Sequence, residues 1–276
     1  MKLKIFTLFA LACVALVSAS GCSFGVLDNE YQYSVVKKSS VPDASSALES
    51  SSDAGDSSSS SGSFEAESLS EHEEFAFTLD NKSNGIIITK YNGQDTVAVI
   101  PSVINGKKVV GIGGYAFIEV VERVWVPASV TEISDEAFDF AQKLHTVEVA
   151  ESNPNYASHD GILYNKSMTT LLRCPLSRQE PVVVPAGVEV IYTTSFKGCK
   201  DIEALSLPDG LKSIGTSAFS SCRSLKSIAI PATVKDMEVD ALFACTSLRD
   251  IYVSKELVEG LPIHWVPTVE CRVHFY

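Results

Sequence analysis

Basic residues are scarce in this chain. Its 22 Lys and Arg stand against 34 Asp and Glu, giving a formal net charge of −12. The deficit is uneven: residues 1–81 carry −8 and the remainder only −4. The later part therefore lacks the basic stripe that nucleic acid would require, and no nucleic-acid partner is expected. Histidine is sparse too. His72, His145, His159, His264 and His274 show no metal-ligand spacing, so neither a metal nor a cofactor is expected. His159-Asp160 lies among several serines, but the strained Gly-x-Ser-x-Gly turn of a serine nucleophile is missing. Gly111-Ile112-Gly113-Gly114 contains an Ile-Gly turn that recurs at Ile214-Gly215, and is not a phosphate loop. With no converging acid, base and nucleophile, an enzyme is not expected. Long apolar runs are absent beyond the N-terminal stretch, which leaves no later segment able to span a bilayer. No long apolar period of 3.6 residues occurs either. Short strands, turns and one-turn helices are expected instead.

What is present begins with an export signal at residues 1–21. Lys2 and Lys4 precede an apolar run from Ile5 to Val17, which is short for a membrane span. The signal ends in Ala19-Ser20-Gly21-Cys22, which resembles a bacterial lipobox with Ala19 where Leu is commoner. That resemblance implies cleavage before Cys22, a diacylglycerol on its sulfur and acylation of the new amine. Two or more acyl chains hold a protein stably on a membrane, whereas one does not. The alternative is an ordinary secretory signal with a free Cys22. Residues 22–74 read as a disordered tether. About half of Ser39–Ser63 is serine, and ten carboxylates with no cation lie between Lys38 and Lys82. Such a segment buries too little apolar surface to offset its ordering entropy, and its own repulsion extends it.

Residues 75–276 carry a repeat. Cys199, Cys222 and Cys245 are 23 residues apart, as are Pro185, Pro208 and Pro231, and Phe196, Phe219 and Leu242. A fixed period of about 20–29 residues with Leu-x-x-Leu-x-Leu spacing marks a leucine-rich solenoid. The expected fold is mainly β, with rungs of about 23 residues. Each rung opens on a strand ended by proline, which cannot donate to a ladder. Val124-x-Val126-Pro127, Val182-x-Val184-Pro185 and Ile228-x-Ile230-Pro231 are examples. Further rows follow: Val109, Val130, Val188, Leu211 and Val234, then Ile112, Ile133, Ile191, Ile214 and Met237. An alanine row and the row Phe117, Phe138, Phe196, Phe219, Leu242 complete the rung. Equivalent apolar residues in every rung imply one continuous interior column. Residues 75–100 read as an N-terminal cap, 151–180 as an inserted β-hairpin and 254–276 as a C-terminal cap. Caps are needed because an end rung would expose the core.

Leu225-Lys226-Ser227-Ile228-Ala229-Ile230-Pro231, Val234 to Cys245, and Leu211 to Cys222 resemble the BspA-like bacterial surface leucine-rich repeats. The inserted Asp160-Gly161-Ile162-Leu163-Tyr164-Asn165-Lys166 also occurs in that family, and the match covers about Ile86 to Val253. The resemblance implies an exported or surface-exposed protein with a binding role. Some members act as adhesins for host proteins or other cells. The Gly after the isoleucine row is kept at Gly113 and Gly215 but is Ser134, Tyr192 and Glu238 elsewhere.

Seven cysteines in an exported chain invite disulfides. Cys199, Cys222 and Cys245 share one row with Val120 and Ala141, which reads as a small buried hydrophobe. Parallel Cβ vectors on adjacent rungs oppose bonding between them. Cys174 and Cys271 fall outside the row. The outward strand positions matter more for function. One row runs Val99, Trp125, Glu148, Val183, Ser206, Ala229, Tyr252, and its neighbour contains Arg123. Arg123, Trp125, Glu148 and Tyr252 are the larger groups, and Trp, Tyr and Arg dominate binding hot spots. They form either a binding face or, for Trp125, packing against a loop. The expected function is a lipid-anchored surface protein presenting this face to a protein partner, such as a host or cell-surface protein. Two alternatives remain: a structural or envelope-assembly component without a soluble ligand, and carbohydrate binding through Trp125 and Tyr252.

Overall fold

The computed structural model describes residues 72–118, 120–261, 265–267 and 270–276. The export signal, Cys22, the tether up to residue 71, and His264 lie outside the described residues. Among the described residues no helix is long and apolar enough to cross a membrane.

The chain opens with β1 (Phe75–Leu79) antiparallel to β2 (Ile86–Tyr91). It continues through β3 (Val97–Val99), β4 (Val103–Ile104), β5 (Lys107–Ile112), β6 (Arg123–Val126), β7 (Glu132–Ile133) and β8 (Thr146–Val149). Asn105-Gly106, both at positive φ, turn β4 back onto β5. An inserted meander follows: β9 (Tyr156–His159), β10 (Ile162–Asn165) and β11 (Thr170–Arg173). The regular rungs resume with β12 (Val182–Val183), β13 (Val190–Ile191), β14 (Leu205–Ser206), β15 (Ser213–Ile214), β16 (Ser227–Ala229) and β17 (Asp236–Met237). Then come β18 (Asp250–Val253), the helix α1 (Lys255–Glu259) and β19 (Arg272–Phe275). Ser254 caps α1, its hydroxyl accepting from the Leu257 N–H at 3.2 Å.

Each rung contributes one strand to each of two parallel ladders. The front ladder contains β3-β6-β8, then β12-β14, then β16-β18-β19. The back ladder contains β2-β5-β7, then β11-β13-β15-β17. Alternation along the front strands explains the burial. Val124 and Val126 of β6 point inward, while Arg123 and Trp125 face out. The mainly β, repeating architecture expected from the 23-residue spacing is what the chain adopts.

The interior is not one continuous column. It is two hydrophobic cores, one before and one after the meander. Phe117 and Phe138 stack at 5.5 Å between ring centroids, and Phe196 and Phe219 stack at 5.2 Å. Strand β10 lies between the cores and serves both. Leu163 belongs to the first, Ile162 and Tyr164 to the second. The expected hairpin is a three-stranded meander, and its last strand re-enters the back ladder beside β13. The meander leaves β7 without a following rung strand, and side chains bond to that edge instead. Tyr156 Oη accepts the Ile133 N–H at 3.0 Å, and Asn155 donates to the Thr131 carbonyl at 2.9 Å. Buried Asn153 donates to the Pro127 and Val130 carbonyls at 2.8 and 2.9 Å. A buried amide left unpaired there would cost about 1–3 kcal/mol.

The rung alignment is corrected at one place. Val120 does not occupy the cysteine row: Val121 is fully buried and Val120 only half-buried. The rung is two residues short between Phe117 and Val124, and Val120 packs only partly against the core there. Val121 aligns with the buried Leu144, Leu225 and Leu248. From Cys199 onward the row is a file of buried thiols. Cys222 Sγ donates to the Phe196 carbonyl at 3.2 Å, and Cys245 Sγ to the Phe219 carbonyl at 3.1 Å. Cys199 Sγ reaches the Cys174 carbonyl at 3.6 Å, which sets the fully buried Cys174 at the head of the file. Burial pushes the Cys174 thiol well up, and all five cysteines among the described residues are free.

Two residues past the phenylalanine row the backbone turns left-handed. Gly198 stands there in one rung, Ser221 (φ 62°) and Ala244 (φ 59°) in the next two. A residue with a Cβ costs about 1–2 kcal/mol in this region. Glycine adds unfolded-state entropy worth about 0.5–1 kcal/mol. Ala244→Gly is therefore expected to stabilise by a net ~0.5–1 kcal/mol. A urea titration showing Ala244→Gly less stable than the parent would refute this account.

Candidate functional site

Trp125, at 36% exposure, sits at the centre of the outer front face of the first half. Its ladder neighbours are Val99 on β3 and Glu148 on β8. Arg123 Nη2 lies 2.7 Å from Glu148 Oε1 across the same strands, with both side chains about half exposed (51%). An exposed pair of this kind contributes only about 0–1 kcal/mol to stability. It does hold two charges in fixed positions beside the indole. Val97 and Val99 are also exposed, so the patch combines apolar surface with one neutralised ion pair. These are three of the four outward residues singled out in the sequence, brought together on adjacent strands.

Tyr252 is elsewhere. It lies on β18, after β12, β14 and β16 in the succession of rungs, and does not join the Trp125 patch. Its ring stacks on His274 at 4.6 Å with 15° between the planes. Asp250 anchors this second group, with Oδ1 2.8 Å from His274 Nε2 and Oδ2 2.8 Å from Arg272 Nη2. Hydrogen bonds from His274 and then Arg272 hold the Asp250 carboxyl below its usual range. Sequence reasoning missed His274 and Arg272 because it set no register for the last strand. The signal was there: Arg272-Val273-His274-Phe275 alternates like Asp250-Ile251-Tyr252-Val253, and the two pair in that register.

A third feature lies on the turns beyond the back ladder. Tyr115 and Phe140, from successive rungs, pack with centroids 5.2 Å apart, and both are exposed, at 45% and 56%. Tyr115 has φ 58°. The same rung position is left-handed at Thr194 (φ 56°) and Ser217 (φ 52°), so the conformation belongs to the repeat. An aromatic there bears the same cost of about 1–2 kcal/mol. The neighbouring Glu136 carboxylate pushes the Tyr115 phenol up. Beside this turn, the interruption after β7 leaves a cleft of about 510 Å³. Phe138, Leu163 and Leu172 line it, with Tyr156, Tyr192 and Arg173. Arg173 is 4% exposed, lies 3.0 Å from Asp139, and donates to the Thr194 carbonyl at 2.9 Å. The cleft offers shape and ring surfaces. Among the described residues, no group of three His, Cys, Asp or Glu side chains is placed to hold a metal ion.

The model of the BspA type leucine rich repeat region matches residues 95–171 and 174–260 in six copies. The chain belongs to this family. The BspA-type leucine-rich repeat proteins are a family of bacterial surface proteins. A leucine-rich repeat protein from Eubacterium ventriosum is similar at 27% identity and a TM-score of 0.52. That similarity covers 63% of this chain but only 45% of the E. ventriosum protein, so the chain spans about half of that relative's length. A T. pallidum leucine-rich repeat protein is 27% identical over 67% of this chain and 71% of its own, with a TM-score of 0.35. A leucine-rich cell surface protein from Faecalibacterium prausnitzii is 17% identical over 75% and 94%, with a TM-score of 0.44. Comparison with curated proteins returns no match.

Proposed function

We propose that this BspA-type protein is a lipid-anchored surface binding protein. The outer front face around Trp125 engages a protein partner, and Cys22 carries the lipid. The acidic tether holds the repeat domain off the membrane. The observation that carries this reading is the indole of Trp125, exposed on a flat sheet face between Val99 and the Arg123–Glu148 pair. Rigid aromatic and arginine side chains on a preformed surface contribute binding energy with little ordering entropy. A face without convergent titratable groups recognises a partner and performs no reaction on it.

The test uses the mature chain and intact partner cells. Trp125→Ala is expected to weaken cell binding by about 30-fold, as for a hot spot near 2 kcal/mol. Arg123→Ala should weaken it less, and both variants should melt within about 2 °C of the parent, since surface substitutions rarely exceed 0.5 kcal/mol. Loss of binding together with a large fall in Tm would make Trp125 a packing residue. Crosslinking on intact cells separates the structural alternative, which gives only self and envelope neighbours.

A further inference from the structure

We propose that the Tyr115–Phe140 pair, with the Glu136 carboxylate, is a second interaction surface that receives an arginine-bearing segment of a partner protein. The fold itself gives no reason for the pair. Tyr115 occupies a left-handed position where other rungs place Thr194 and Ser217. Burial does not repay that conformation, because the Tyr115 ring is 45% exposed and the ring it touches, Phe140, is 56% exposed. Two large rings kept at the surface, one of them on a left-handed residue, are available to something outside the chain.

The charges nearby select the occupant. Glu136 is exposed and forms no ion pair among the described residues, whereas Asp139 is already matched by Arg173 at 3.0 Å and Lys197 at 3.6 Å. The surface therefore offers two ring faces and an unmatched carboxylate. Ring faces attract cations through their quadrupole, and a guanidinium does so best because it is planar, weakly hydrated and able to stack. The same guanidinium can donate two parallel hydrogen bonds to the Glu136 carboxylate. An acidic or phosphorylated segment is repelled here, and a purely apolar one leaves the carboxylate unused. This surface is independent of the Trp125 face, which lies on the front ladder.

The experiment titrates the mature chain with a fluorescein-labelled heptapeptide of alternating arginine and glycine, read by anisotropy at low salt. Binding is expected, weakening as salt rises. Tyr115→Thr and Phe140→Ala should each reduce affinity at least about tenfold, and Glu136→Gln about threefold. The lysine analogue should bind more weakly, and the glutamate analogue not at all. Trp125→Ala should leave this titration unchanged, so failure of the front-face reading and of this one are distinguishable. Tyr115→Thr should also melt no lower than the parent, since threonine already occupies the position at Thr194. No binding of the arginine peptide at about 1 mM, equal binding by Tyr115→Thr, equal binding of the glutamate peptide, or a marked fall in Tm for Tyr115→Thr would each overturn the proposal.

Discussion

Phe219→Ala is expected to lower the unfolding free energy by about 3–5 kcal/mol, the range for deleting a buried ring that its neighbours cannot refill. Phe219 is 1% exposed and stacks on Phe196 with 24° between the planes. Its backbone N–H donates to the Ala241 carbonyl of the next rung at 2.8 Å. The residue therefore joins both adjacent rungs, its ring to one and its backbone to the other, and a solenoid's stability is close to a sum of such nearest-neighbour terms. The two-core arrangement adds a sharper expectation. Phe117 belongs to the other core, so Phe117→Ala and Phe219→Ala should add within about 0.5 kcal/mol. Phe196→Ala and Phe219→Ala share one stack and should couple by more than that. Phe140→Ala, only two residues beyond the Phe138 row, should stay within about 0.5 kcal/mol. Urea denaturation of the single and double variants decides the matter. Strong coupling between Phe117 and Phe219 would mean one core, not two.

The rows explain how much could be read in advance. Where each rung repeats the last, spacing alone places the side chains. The inward pairs, the phenylalanine stacks and the buried thiols of Cys199, Cys222 and Cys245 all follow from a 23-residue interval. Legibility ended where the period did. The meander has no second copy to compare with, so neither its third strand nor the way β10 divides the core was visible. Val120 was set in the wrong row because alignment by count cannot say where two missing residues fall. The outward residues were named from alternation, which gives the face of a strand but not which strands lie side by side. Hence Arg123, Trp125 and Glu148 could be grouped, while the distance in rungs from them to Tyr252 was not visible and its neighbour His274 was missed. Tyr115 was invisible for another reason. Nothing in a sequence marks a tyrosine as left-handed.

Asp139→Ala is the second large effect expected, about 3–5 kcal/mol of destabilisation. Asp139 is 16% exposed and its partner Arg173 only 4%. Arginine cannot shed its proton, so removing the carboxylate leaves a buried charge with no counter-ion. Arg173 is already under-served: its Nε has no hydrogen-bond partner, and Asp139 Oδ1 lies 3.0 Å from Nη2 without hydrogen-bond alignment. The Thr194 carbonyl holds Nη1 at 2.9 Å but cannot neutralise it. Lys197, 3.6 Å from Asp139, would lose its partner as well, but it is about half exposed and water replaces the contact. Breaking a buried pair differs from replacing it. Asp139→Ala with Arg173→Met removes both charges and fills the site with an unbranched apolar chain, so the double variant should recover most of the loss. If it melts as low as Asp139→Ala alone, the cost lies in packing around Asp139. The buried guanidinium would then not be what ties the meander to the rungs beside it.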